Sequence, residues 1–160
     1  MNHLLKRIVF ESYAPIAFAV FCAAIVLLLN GVLNWEAFAA IATGIFAFAF
    51  GVQKQNLEDT KLFKKLFEQF NKRYDSMNDD MNRIHQQPSD APLTEDEKKK
   101  LFKYFNLCGE EYLYYDKGFI CEEVWKDWIK GMGYFRKNAR IKDFWDKELG
   151  DNDSYYGLKF

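Results

Sequence analysis

Histidine is nearly missing from this chain: His3 and His85 are the only two among 160 residues. His85 has no Cys, Asp or Glu at metal-ligand spacing, so it reads as a solvated helix-end residue. Cysteine is scarce too, and Cys22, Cys108 and Cys121 form no CxxC pair. An odd count without paired spacing does not suggest a disulfide framework and fits a reducing compartment, with all three as small apolar side chains. There is no Gly-rich phosphate loop, no nucleophile elbow and no zinc signature. Catalysis, cofactors and metals therefore find no support. No segment alternates apolar and polar residues long enough to make a strand. Charge is also absent where it is usually common, since residues 12–52 carry one charged side chain, Glu36.

That gap divides the chain. From Gln53 onward there are 20 Lys plus Arg against 21 Asp plus Glu. Such a balance builds no global field for nucleic acid, and no direct nucleic-acid binding is expected. Phe, Tyr and Trp make up 18% of the residues, enough to fill a small core or coat an interface.

The first twenty-residue run, from Ala14 to Leu33, gives roughly 30 Å of helix, the thickness of a bilayer's hydrocarbon core. Pro15 is expected in its first turn, where a missing N–H costs nothing. A second run follows from Ala37 to Val52, linked by Asn34, Trp35 and Glu36. The spans are placed at about 14–33 and 36–52, within a transmembrane hairpin covering residues 1–52. The first run is too long for a signal-peptide core, and no small-x-small cleavage site precedes a polar stretch. Lys6 and Arg7 precede the hairpin, and Lys54, Lys61, Lys64 and Lys65 follow it. The positive-inside rule then predicts a bacterial inner-membrane protein with both termini cytoplasmic and Trp35 as an outer anchor.

Ala37, Ala40, Gly44, Ala47 and Gly51 form a small-residue stripe at spacings of three and four. In lipid that pattern lets helix backbones approach closely, so Ala40, Gly44, Ala47 and Gly51 are the candidate association face. The spacing alone leaves open whether the partner is the hairpin's own first helix or another copy in a homo-oligomer. Neither apolar run, Ala14 to Leu33 or Ala37 to Val52, holds an Asp, Glu, Lys, Arg or His for an ion path, and Thr43 alone makes no transport site.

Residues 53–87 read as a membrane-proximal heptad helix. Its seam is Phe63, Phe67, Phe70, Tyr74, Met77, Met81 and Ile84, with intrachain packing favoured over pairing between chains. Residues 88–93, with Pro88 and Pro92, form a linker. A helical domain spans 94–160. It opens on a capping box of Thr94 and Glu97, and Gly118 closes its first helix. Val124, Trp125, Trp128 and Ile129 make the apolar face of the next helix, which Gly131 and Gly133 are expected to loosen. Asn138 caps a last helix. The fold class is all-α: a transmembrane hairpin continuing into a small cytoplasmic helical bundle.

Adjacent carboxylates in Glu110–Glu111 and Glu122–Glu123 diverge on a helix, so one of each pair can turn inward. Asn106, Glu110, Tyr114 and Trp125 are the candidate pocket. Arg136, Lys137, Arg140 and Lys142 are a basic cluster, read as ordinary surface with anionic lipid headgroups as the alternative.

Two stretches, LFKKLFEQFNKRYDSMNDDM and KYFNLCGEEYLYYDKGFICEEVWKDWIKGM, together resemble the phage abortive-infection membrane proteins of bacteria. The resemblance covers roughly residues 62–149. It is one of extended pattern and brings no active residues with it. It implies two N-terminal transmembrane helices ahead of a helical domain, and an anti-phage effector that associates in the bilayer and disrupts it. Its partners would be the lipid bilayer, further copies of itself and a protein partner of a defence system. The rival reading is a non-enzymatic membrane-anchored adaptor that binds a protein partner through its helical domain.

Overall fold

A computed structural model describes residues 3–150 and 154–159, with side chains from residue 12 onward. The side chains of Lys6 and Arg7 and the tail residues 151–153 and 160 lie outside the described residues. The fold is all-helical: α1 (His3–Leu29), α2 (Trp35–His85), α3 (Glu95–Asp116), α4 (Glu122–Phe135), α5 (Ala139–Gly150) and a short 3-10 turn, Tyr155–Gly157. The chain divides into two compact units, one ending at Lys61 and the other starting at Leu62. The boundary falls inside α2, so the heptad segment from Leu62 on belongs to the C-terminal unit.

In the first unit, α1 and the start of α2 are long and apolar enough to cross a membrane. Pro15 lies inside α1 rather than in its first turn, because the helix starts well before the apolar run. The turn also differs from the expected link. It occupies Asn30 to Asn34, and Trp35 and Glu36 already lie in α2. Gly31 takes φ +70, the Gly31 N–H donates to the Leu28 carbonyl and the Val32 N–H to Leu27, which together make a Schellman close. Asn34 then caps α2, its Oδ1 accepting the Ala37 N–H at 2.8 Å. The two helices meet through Phe21, whose ring lies 5.9 Å from Phe38 and 6.2 Å from Phe46.

In the second unit the heptad seam packs on the chain's own helices. Phe70 meets Trp128 and Tyr114 edge-on, Phe67 stacks on Trp128, and Tyr74 tilts against Tyr104. Met81 and Ile84 are buried in the main core beside Leu101, Phe105, Ile141 and Trp145. His85 is not a solvated end residue: it is half-buried, 4.5 Å from the ring of Tyr134. Imidazole presents an aromatic face, and the end of α2 brings that face against α4.

The capping box at Thr94 and Glu97 is complete. Gly118, at φ +75, donates to Tyr115 while Phe119 donates to Tyr114, and the Phe119 and Tyr114 rings lie 6.0 Å apart. That is a second Schellman close with its accompanying apolar contact. Helix α4 continues through Gly131 and Gly133 as far as Phe135. Burial of Met132 and Phe135 outweighs the roughly 1 kcal/mol that each helical glycine costs.

The tail returns to the core where Leu158 is buried. Tyr155 and Tyr156 sit in left-handed backbone, at φ 57 and 59, and Gly109 of α3 lets them approach. A Cβ at Gly109 would lie 2.9 Å from the Tyr155 Cβ and 3.1 Å from its Cα. Gly109→Ala should therefore cost about 1–3 kcal/mol as an overpacked contact. A chain ending at Gly150 should not feel the substitution. Thermal melts of the four combinations check this.

Candidate functional site

Two regions carry the residues of interest, one in each unit. In the first unit four residues of the small-residue stripe face away from α1, while Ala37 is partly covered. Phe38, Ile41, Ala42, Ile45, Ala49 and Val52 are partly covered, while Ala40, Gly44, Ala47 and Gly51 are exposed. At about 100° per residue the two sets lie on nearly opposite sides of α2. A Cβ added at Gly44 or Gly51 meets nothing within 4 Å. The close approach that the stripe permits is thus not used within the hairpin. Thr43 turns its hydroxyl back to the Ala39 carbonyl at 2.8 Å.

In the second unit the structure does not bring Asn106, Glu110, Tyr114 and Trp125 together. Asn106, Glu110 and Tyr114 follow one another at four-residue spacing along one face of α3. Trp125 instead stacks on Tyr115 at 5.0 Å and tilts against Tyr112, both on another face. Asn106 is exposed, and Glu110 holds Arg73 through two bonds of 2.5 and 3.0 Å. Both side chains of that pair are about a third exposed, so it ties α2 to α3 modestly.

The inward carboxylate is Glu111. It stands one step further round α3 and is only 6% exposed. Tyr104, Cys108 and Glu111 make the inner row of α3 at spacings of four and three, with Tyr104 and Cys108 both buried. Glu111 lines a cavity of about 190 Å³ with Asn71 and Tyr74 of α2, Tyr104 of α3, and Asp127, Trp128, Gly131 and Met132 of α4. No hydrogen bond reaches its carboxyl from the described residues. Burial pushes the carboxyl up to about 8, Arg73 pulls it down and Glu110 pushes it up further. Burial likewise raises the hydroxyl of Tyr104 and the thiol of Cys108, which makes Cys108 unreactive. Sequence reasoning passed over Glu111 for Glu110. The signal was its place three residues after Cys108 and four after Leu107, both core positions.

A larger groove of about 440 Å³ runs between α2 and α3 past Arg73, Asp80, Lys100, Lys103 and Asn106. Its cations are mostly committed: Arg73 to Glu110, and Lys100 to Asp80 at 3.2 Å and Asp96 at 2.8 Å. The basic cluster spanning the end of α4 and the start of α5 is committed in the same way. Arg136 pairs with Asp146 at 2.7 Å, Lys142 with the same carboxylate at 2.6 Å, and Arg140 with Glu97 at 2.8 Å. Lys137 lies over the Tyr134 ring. No constellation of His, Cys, Asp and Glu fit for a metal occurs among the described residues.

No known protein family, no curated protein and no solved structure matches the chain.

Proposed function

We propose that this chain is a non-enzymatic inner-membrane effector whose N-terminal hairpin crosses the bilayer and associates with further copies through Ala40, Gly44, Ala47 and Gly51. The observation that carries the proposal is the exposure of that face on the side of α2 away from α1, with open space at both glycines. In hydrocarbon, close backbone approach is a leading source of helix–helix attraction, and this face is left free to provide it. The basic residues on either side of the hairpin support cytoplasmic termini by the positive-inside rule. The resemblance of residues 62–149 to abortive-infection membrane proteins supports a role in phage defence, with association making the membrane leaky.

A voltage-sensitive dye in bacteria expressing the chain, read before and during phage challenge, tests this. The expected result is depolarisation on challenge that disappears in a Gly44→Leu/Gly51→Leu variant at unchanged expression. Bulky side chains at both positions hold two such helices apart. A potential that stays intact throughout overturns the effector and favours the anchored adaptor, which tolerates any hairpin that inserts.

A further inference from the structure

The geometry points to a binding site in the C-terminal unit for a small organic cation, an ammonium group on a compact apolar body, with Glu111 facing its charge across the cavity. The inference stands on that unit alone and does not depend on whether the hairpin crosses a membrane.

The Glu111 carboxyl has no donor among the described residues and opens on the cavity, where a ligand's donor group can reach it. Glu111 is 6% exposed and lines the space with three aromatic side chains, Tyr74, Tyr104 and Trp128, and with Met132. Ring faces and a carboxylate are the two features that hold an ammonium out of water, one by the ring quadrupole and the other by charge. An anionic ligand finds no such provision. The nearby cation, Arg73, is bound bidentately to Glu110, and the exposed carboxylate of Asp127 is paired with Lys130 at 2.9 Å, which leaves Glu111 as the cavity's uncommitted carboxyl. A metal ion would need several ligands, and the described residues offer no such group.

The charged and titratable groups around Glu111 are Arg73 and Tyr74 from α2, Tyr104, Cys108 and Glu110 from α3, and Asp127 from α4. Burial above all, opposed by Arg73 and reinforced by Glu110, leaves the carboxyl protonated below about pH 8. An ammonium binds the ionised form, so binding at neutral pH displaces that proton. Affinity should then rise about tenfold per pH unit up to pH 8.

Titration calorimetry on the full chain in detergent micelles, with benzylamine and its neutral counterpart benzyl alcohol, tests the site. The parent should bind benzylamine about tenfold more tightly at pH 7 than at pH 6. It should release close to one proton, as seen by comparing two buffers of different ionisation heat. Benzyl alcohol should bind more weakly and without pH dependence. Glu111→Gln should weaken benzylamine binding at least tenfold. Gly131→Trp, which adds bulk where a side chain meets open space, should weaken it through sterics alone. Benzylamine bound equally by parent and Glu111→Gln, or no better than benzyl alcohol, or not at all by the parent, overturns the proposal. Should Glu111→Gln fail to fold, Gly131→Trp and the parent's own pH dependence decide.

Discussion

Glu111→Gln should stabilise the C-terminal unit, and the gain should grow with pH. In the folded chain the carboxyl loses its proton at about 8, against an ordinary value of 4.5. Between those values the folded state holds a proton that the unfolded chain has released. Stability therefore falls as pH rises through this window, by about 1.4 kcal/mol per unit, and levels off above it. Across the whole window the loss comes to roughly 5 kcal/mol, a large share of what holds a small domain together. Gln has the shape of the protonated acid and does not titrate. The variant and the parent should thus be nearly equal at pH 4.5 and differ most at pH 8. Denaturant unfolding of the full chain in micelles, followed by the fluorescence of Trp125, Trp128 and Trp145, reads the difference at several pH values. Other titrating groups cancel between the two proteins. A difference that does not move with pH means that Glu111 is hydrated through its cavity and keeps its ordinary proton affinity.

Why Glu111 was less legible than its neighbour has a simple cause. Adjacent residues on a helix point about 100° apart, so the phase of α3 decides which carboxylate turns inward. Phase is fixed by the whole row of Leu101, Tyr104, Phe105 and Cys108 against two other helices, and local spacing ranks Glu110 and Glu111 alike. Features that depend on a few neighbouring residues were readable. The capping box at Thr94 and Glu97 and the Gly118 close follow from short-range hydrogen bonding. So does the periodicity of the seam from Phe63 to Ile84. The hairpin turn is local too: the Gly31 close and the Asn34 cap start it at Asn30, four residues before the link expected at Asn34 to Glu36. Features set by distant contacts were not readable. Gly131 and Gly133 look like helix breakers until Met132 and Phe135 are seen in the core. His85 looks like a surface residue until the ring of Tyr134 is seen against it. The seam itself was readable, but its occupant was settled by Trp128 and Tyr114, which lie more than forty residues further on.

Arg140→Ala should be the most damaging single change at a polar position, because Arg140 closes a knot of four chain segments. Its side chain is 5% exposed. One Nη atom donates to Glu97 Oε2 at 2.8 Å and to the Pro92 carbonyl at 3.3 Å. The same Glu97 oxygen accepts the backbone N–H of Thr94 at 2.8 Å and its hydroxyl at 3.0 Å. Next to Arg140, buried Asn138 donates to the carbonyls of His85 and Gln87, both at 2.9 Å, and accepts the Arg140 N–H. The end of α2, the linker and the starts of α3 and α5 are thereby joined. Truncation leaves a carboxylate and a carbonyl without their cation and removes the packed stem of the side chain. Breaking a buried pair in this way costs about 3–5 kcal/mol, and the 19% exposure of the Glu97 side chain, with the buried Nε and Nη1 of Arg140 that find no partner among the described residues, puts this one near the lower end. Burial pushes the Glu97 carboxyl upward, but the Thr94 bonds and Arg140 together outweigh it and hold the carboxyl below its ordinary value. Its contribution is therefore present above the unfolded value of 4.5 and is lost as pH falls through the folded one. The penalty of Arg140→Ala should accordingly be largest near neutral pH and shrink in acid, where Glu97 takes up its proton and no longer needs a cation. Unfolding curves of the parent and variant between pH 7 and pH 3 measure it. A loss below about 1 kcal/mol that stays constant with pH is the behaviour of an exposed pair. The C-terminal unit would then owe its joining of α2, α3 and α5 chiefly to the packing of Met81, Ile84, Leu101, Phe105, Ile141 and Trp145.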